Sequence, residues 1–228
     1  MHRWLSLLVL GVILGGAGGV CAEQAVRIGV SLGLTGTYGL TSEKQKNAYL
    51  LFEQEINRQG GILGRPVKFI IKDNRSEVER AVSQYELLLT KEKVDFIIGP
   101  YTSKLTLAAA AVAERHDTPM LAAGAAADII WQQGYHNVFG MWTPASRYVL
   151  GFLKLLLYNH FDRIVIVSGT GEFAEGLADG ARKWAKALRL NILESISIGD
   201  MDEDYDKIVS RIQSVYPDVL ICTGHYEE

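Results

Sequence analysis

Beyond residue 25 the sequence alternates short apolar runs, rich in Val and Ile, with longer helical stretches. The short runs predict β-strands over residues 26–30, 67–71, 96–98, 119–121, 138–139, 164–167, 192–198 and 219–222. The longer stretches predict helices that begin near residues 42, 76, 103, 145, 172 and 204. Strands that alternate with helices imply parallel sheets covered on both faces. The sequence therefore predicts an α/β protein.

Two of the helix starts carry a capping pattern. Ser42 precedes Gln45 by three residues, and Ser76 precedes Glu79 by the same spacing. In such a capping box the serine hydroxyl accepts a hydrogen bond from the backbone N–H three residues later. We therefore predict that Ser42 and Ser76 are the N-caps of two helices.

The regular alternation is interrupted between residues 122 and 144, where the sequence is rich in Ala and Gly. A loop-rich segment between two βα runs indicates a passage from one lobe to another. We predict a first lobe over residues 23–141 and a second over residues 142–228. Three full strands of the second lobe precede the end of the sequence, and no helix follows the last of them. We therefore expect an incomplete second lobe in a chain that is a fragment of a longer protein.

The first 22 residues have the pattern of a secretory signal peptide. Arg3 precedes an apolar stretch over residues 4–20, and small residues lead up to Ala22. We predict export and cleavage before Glu23. A retained membrane anchor and, because of Cys21, a lipoprotein are the alternatives.

The charge of the chain argues against a nucleic-acid partner. The formal net charge is −3, and the loss of Arg3 with the signal peptide makes it −4. Binding to a phosphate backbone requires a basic surface. We therefore expect no nucleic-acid partner.

Cysteine usage excludes an intrachain disulfide in the mature protein. Signal cleavage removes Cys21 and leaves Cys222 as the single thiol, within the apolar run 219–222. We predict that this thiol is buried and inert.

Motifs that would indicate an enzyme are missing from the sequence. It contains no phosphate-binding P-loop, dinucleotide fingerprint, nucleophile elbow or metal-ligand spacing. His116, His136 and His160 are isolated in sequence, and we expect them to have surface or capping roles. The sequence therefore predicts a protein that is not an enzyme and that holds neither a metal nor a cofactor.

One segment has the composition of a ligand site. The predicted strand 96–98 is followed by Gly99 and Pro100, and then by Thr102 and Ser103 at the start of a helix. Helix N-termini at the carboxyl edge of a parallel sheet favour anionic ligands. The next strand ends in small residues, which let a ligand approach the backbone closely. Ser103 fits either a ligand contact or a plain N-cap, and the residues leave both open.

These elements together resemble the solute-binding proteins of ABC importers for branched-chain amino acids, which have the type I periplasmic-binding-protein fold. The resemblance extends over residues 26–228 and is carried by short elements in the family's order. They are 28–30, 35–36, 56–62 with Asp73, 97–100, 122–127, 173–176 and 224–226. The resemblance implies two Rossmann-like lobes with parallel sheets, the second incomplete, that close on a solute.

The resemblance also implies which residues bind the solute. Thr102 and Ser103 match the helix start that holds the ligand carboxylate, and the loop at Gly124 and Ala126 lines the same pocket. The second lobe is expected to contribute aromatic rings. The full implied set is Tyr38, Thr102, Ser103, Gly124, Ala126, Phe173, His225 and Tyr226. Tyr38 is included in place of a ring that the family has near Thr41.

Two departures from the family leave the solute open. Ala126 stands where the family often has Thr, and the family's acidic partner for the amino group lies beyond residue 228. We therefore expect an amino acid, an amide or a related acid as the solute. The resemblance implies a location in the periplasm and an ABC permease as partner at the membrane. The alternative is a ligand-sensing receptor domain of the same fold that acts in signalling.

Overall fold

The structure is a computed structural model that describes residues 24–199 and 205–225. Its strands are β1 (Val26–Leu32), β2 (Val67–Asp73), β3 (Phe96–Ile98), β4 (Met120–Ala122), β5 (Val138–Gly140), β6 (Arg163–Ser168), β7 (Asn191–Ser197) and β8 (Val219–Thr223). Its α-helices are α1 (Gly39–Arg58), α2 (Val78–Thr90), α3 (Ser103–Arg115), α4 (Asp128–Trp131), α5 (Leu150–Tyr158), α6 (Glu172–Ala187) and α7 (Tyr205–Ser214). A short 3-10 turn covers Ala145–Arg147.

The strands form two parallel sheets. The first has five strands in the order β2-β1-β3-β4-β5, and the second has three in the order β7-β6-β8. The predicted α/β class is confirmed. The order reverses beside β1 in one sheet and beside β6 in the other, and open α/β sheets bind ligands at the carboxyl edge of such a reversal.

Helices cover both faces of the first sheet, because its apolar residues alternate between the two. On one face Ile97 and Met120 pack with Tyr85 and Leu88 of α2 and with the Ala-rich α3. The other face contains Val30 and Phe69, against which Tyr49 and Ile56 of α1 pack. The chain then crosses to the second sheet between β5 and the 3-10 turn. The exact lobe boundary near residue 141 stays a prediction.

Both predicted serine caps are wrong. Helix α1 begins earlier, at Gly39, and the Ser42 N–H already donates to the Tyr38 carbonyl at 2.9 Å. Helix α2 begins after Glu77. The Ser76 hydroxyl instead donates to the Thr35 carbonyl at 2.9 Å and accepts from the Tyr38 N–H at 3.1 Å. The Ser76 hydroxyl therefore stabilises the loop after β1 instead of capping α2.

The predicted burial of Cys222 is also wrong, since its thiol is exposed. Strand β8 alternates, so that Ile221 and Thr223 are buried while Leu220 is 46% exposed. On the face that carries Leu220 and Cys222, the side chains of α7 pack over the neighbouring strand β6. Strand β8 lies at the edge of the sheet, so its residues on this face stay exposed.

Strand β3 is only partly buried, because Phe96 is 46% exposed. Of the histidines predicted to lie at caps or on the surface, His116 ends α3 as its C-cap. The signal peptide and Tyr226 lie outside the described residues. Within the described ranges, no helix combines the length and apolarity that crossing a membrane requires.

Candidate ligand-binding site

The start of α3 is built around a backbone conformation that is unusual for a β-branched residue. Thr102 has a φ of 78°, and its hydroxyl accepts from the Leu105 N–H at 3.4 Å, so Thr102 is the N-cap. The Thr102 N–H donates to the Gly124 carbonyl at 3.0 Å. Strained residues of this kind cluster at functional sites. Thr102 thus joins the end of β3 to the loop after β4.

Ser103 is the first residue of α3 and is only 2% exposed. Its Oγ accepts from the Ala127 N–H at 3.1 Å and from the Ala126 N–H at 3.4 Å. A plain N-cap role is therefore excluded, because Thr102 fills it. A serine hydroxyl has two acceptor positions and one donor. With both acceptor positions used by the loop, its proton is the group it can offer to a ligand.

The loop after β4 approaches the strand-end loop so closely that Gly124 has no space for a side chain. A Cβ there would lie 3.0 Å from the Pro100 carbonyl oxygen, 3.0 Å from the Tyr101 Cα and 2.8 Å from Nε2 of Gln45. Only glycine permits this approach without a shift of the neighbours. The exposed backbone of this loop forms one wall of the site.

Aromatic rings continue the site from the first sheet to the second. Tyr38 contacts Tyr101 edge-on, with 5.8 Å between ring centroids, and Tyr101 lies 6.1 Å from His225. His225, which follows β8, stacks on Phe173 at 4.9 Å. Phe173 in turn meets Tyr148 edge-on at 6.0 Å. The rings of the two sheets therefore form one continuous series.

Two adjoining cavities lie along this series. The larger, of about 360 Å³, has mainly aromatic and small side chains in its walls. The smaller, of about 230 Å³, is more polar and includes Lys104 and Glu172. Ser103, Phe173 and His225 line both cavities. A ligand that fills the pair would contact polar groups at one end and rings along its length.

The wall of the larger cavity is bonded directly to the crossing between the sheets. The Ala126 carbonyl accepts from the Ala145 N–H at 2.7 Å. Asp128 accepts from the Ser146 N–H at 2.9 Å and from its hydroxyl at 2.7 Å. Trp184 of α6 donates to the Ser146 carbonyl at 2.9 Å. The loop after β4 is therefore hydrogen-bonded to the start of the second lobe.

Most of the residues predicted for the site lie around these cavities. Gly124 and Ala126 line the larger cavity, Tyr38 and Thr102 line the smaller, and Ser103, Phe173 and His225 line both. Their roles in binding stay a prediction, and Tyr226 lies outside the described residues. Among the described residues, no group of His, Cys, Asp and Glu could hold a metal ion.

Sequence reasoning missed several wall residues as binding candidates. Thr41 and Gln45 come from α1, and Tyr148 precedes α5. Trp142 lies at the crossing, and its indole N–H donates to the Ala123 carbonyl at 2.8 Å. Partial burial raises the pKa of Tyr148. The aromatic residues around 142–148 were a usable signal, whereas Gln45 stood out in the sequence only as part of a predicted capping box and not as a binding residue.

Two parallel α/β units, with a cleft lined from the carboxyl edges of both sheets, are the architecture of a two-lobed binding protein. In agreement with this, residues 25–225 match the family model described as "Periplasmic binding protein". The chain belongs to this family, whose members bind solutes and are not enzymes.

A relative from Rhizobium johnstonii, named Leu/Ile/Val-binding protein BraC3, is 27% identical over 208 residues, or 91% of this chain and 56% of the relative. A Brucella suis protein, named Leu/Ile/Val-binding protein homolog 7, is 22% identical and is covered over 59% of its length. The chain thus spans somewhat more than half the length of these relatives.

Solved structures share the fold. The binding protein LivJ from Streptococcus pneumoniae, in complex with isoleucine, has a TM-score of 0.74 at 24% identity, over 89% of this chain and 58% of that one. A solute-binding protein from R. palustris, in complex with benzoate, has a TM-score of 0.75 at 23% identity, over 88% and 55% of the two chains. These similarities establish the α/β binding-protein fold.

Proposed function

We propose that this protein is the solute-binding component of an ABC importer and captures an amino acid or a related small organic acid between its two lobes. The observation that carries the proposal is the pair of cavities with walls from both sheets, joined at Ser103, Phe173 and His225. A site shared between two units couples binding of the solute to the arrangement of the lobes.

Ser103 supports an acidic or carbonyl group in the solute. Its Oγ already accepts two backbone N–H groups, so the hydroxyl proton is the group left to donate to an acceptor on the solute. A carboxylate has only acceptor oxygens, and the first turn of α3 adds the positive end of a helix dipole. We assign the ligand carboxylate or carbonyl to Thr102 and Ser103.

The rings and small residues support an apolar body for the solute. Phe173, Tyr148, Tyr101 and Trp142 line the larger cavity with Ala and Gly residues. A relative named for Leu, Ile and Val, and fold neighbours with isoleucine or benzoate, fit this division into a polar head and an apolar body. Ala126 offers no hydroxyl for an amino group, so amides and aromatic acids are included with amino acids.

Delivery to a permease and export to the periplasm belong to the same proposal. Family membership and the Arg3-to-Ala22 sequence pattern support export with cleavage before Glu23. N-terminal sequencing of the mature protein tests this part. A first residue of Glu23 agrees with it, whereas a start at Met1 or a lipidated Cys21 contradicts it.

The binding function is tested by thermal unfolding of the purified protein with leucine, isoleucine, benzoate and asparagine, and with glucose as a control. A ligand at 100 times its Kd stabilises the folded state by about 2.7 kcal/mol. We expect at least one acid to raise Tm and glucose to leave it unchanged. A Tm that rises with glucose and with no acid would contradict the proposal.

A further inference from the structure

Gln45 occupies a wall of the larger cavity where none of the described residues satisfies its amide oxygen. Its side chain extends from α1, and its Nε2 lies beside Gly124, 2.8 Å from where a Cβ would stand. Its Oε1 is buried and has no hydrogen-bond partner among the described residues. A buried amide oxygen left unpaired costs roughly 1–3 kcal/mol, so a partner from the adjoining cavity would be favourable.

The positions of Gln45 and Ser103 determine which end of the ligand would hydrogen-bond the Gln45 amide. Ser103 borders both cavities, whereas Gln45 borders only the larger one. A ligand with its acidic group at Thr102 and Ser103 therefore reaches Gln45 with its opposite end. Thr41, one turn earlier on α1, lines the same part of the wall.

Two other polar groups near this end are already engaged. The Trp142 indole N–H donates to the Ala123 carbonyl at 2.8 Å, and the Gly124 carbonyl accepts from Thr102. The Gln45 amide can rotate about its last side-chain bond, whose torsional preference is broad, and so present either its oxygen or its NH2 group.

We propose that Gln45 is a specificity residue that hydrogen-bonds a polar substituent at the end of the solute opposite its carboxylate. This inference rests on the proposed function and narrows it. The preferred solute is an acid with a hydroxyl, amide or similar group at its far end, in place of a wholly apolar tail. A site built to hydrogen-bond a substituent discriminates strongly against the analogue that lacks it.

The test compares two matched pairs of probes by calorimetry, benzoate with 4-hydroxybenzoate and leucine with asparagine. We expect the wild-type protein to bind the polar member of at least one pair about tenfold more tightly, as the loss of one hydrogen bond predicts. In Gln45→Met, and in Gln45→Leu as a second variant, this preference should disappear. Lys44→Met, on the exposed side of the same helix, should keep it.

The outcomes separate the two proposals. If the apolar members bind at least as tightly as the polar ones, or if the preference survives in both Gln45 variants, the inference about Gln45 is overturned while the binding function stands. If no member of either pair binds to a correctly folded wild-type protein, the proposed function fails for these acids, and the role of Gln45 fails with it.

Discussion

The imidazole ring of His225 stacks on the phenyl ring of Phe173 with 4.9 Å between their centroids and 27° between their planes. The two residues come from different loops of the second sheet, one after β8 and the other at the start of α6. On its other side His225 faces Tyr101 of the first sheet at 6.1 Å. His225 is therefore the point at which the aromatic walls of the two lobes meet.

Replacing His225 with Ala should weaken solute binding more than it affects folding. The change removes a ring that lines both cavities, and the contact of such a ring with an aromatic solute is worth about 0.5–1.5 kcal/mol beyond its area. We expect Kd to rise by about 2- to 12-fold, which is that energy expressed as a ratio. Calorimetry gives the Kd, and urea unfolding gives the stability.

The exposed His160 provides the matched control for this change. His160→Ala should leave Kd unchanged. An unaltered Kd in His225→Ala would show that the stacked ring is a packing element without a part in binding.

Gly180 allows α6 to contact the crossing between the lobes. A Cβ at this position would lie 2.2 Å from the Ser146 carbonyl oxygen, which is backbone and cannot move aside freely. Gly180→Ala should therefore lower the free energy of unfolding by about 1–3 kcal/mol, the usual range for overpacking. Denaturant unfolding measures the change.

Gly151 of α5 is the control for this substitution, because a Cβ there would meet nothing within 4 Å. Gly151→Ala should be neutral or stabilising by up to about 1 kcal/mol, since Ala favours a helix over Gly. Equal effects of the two substitutions would contradict a specific contact at Ser146.

The carboxylate of Glu86 couples stability to pH. Hydrogen bonds from Arg115 and then from His116, at 2.6 Å each, hold the pKa of Glu86 below its usual value of 4.5. A lowered pKa in the folded state stabilises the protein above pH 4.5, and this contribution is lost as the pH falls through the lowered pKa. The glutamate side chain is 36% exposed, so solvent screening keeps the effect small.

Glu86→Gln should accordingly reduce the free energy of unfolding at pH 7 by about 0.2–1 kcal/mol, and the difference from wild type should shrink under acidic conditions. A difference between wild type and Glu86→Gln that stays constant from pH 7 to pH 3 would refute the assignment.

The sequence pattern was sufficient to predict the fold, because a strict alternation of apolar runs and helices leaves few arrangements other than parallel sheets. The Thr102–Ser103 and Gly124–Ala126 parts of the site were also accessible, since both directly follow strands whose carboxyl ends lie at one edge. The exact roles of Thr102 and Ser103 could not be predicted, because which of the two is the N-cap depends on backbone angles.

What could not be predicted depends on contacts between distant segments. Ser76 was expected to cap a helix, but its hydroxyl is occupied by Thr35 and Tyr38, some forty residues earlier in the chain. Cys222 lies in an apolar strand, yet the sequence does not tell which face of an edge strand is covered. Gln45 enters the site from the second turn of α1, and its one signal in the sequence was a capping pattern that the structure does not form.

The central claim is that a solute is held by both lobes, and isothermal titration calorimetry with single substitutions in each tests it most directly. Ser103→Ala changes the first lobe and Phe173→Leu the second, with Ser83→Ala and Phe152→Leu as exposed controls. The solute is the acid that raises Tm most. We predict that both site variants weaken its binding by about 1–3 kcal/mol, the cost of a lost charged hydrogen bond or of a lost apolar contact with the ring, while both controls bind as wild type. Full affinity in either site variant, with its folding intact, would contradict a site shared between the lobes.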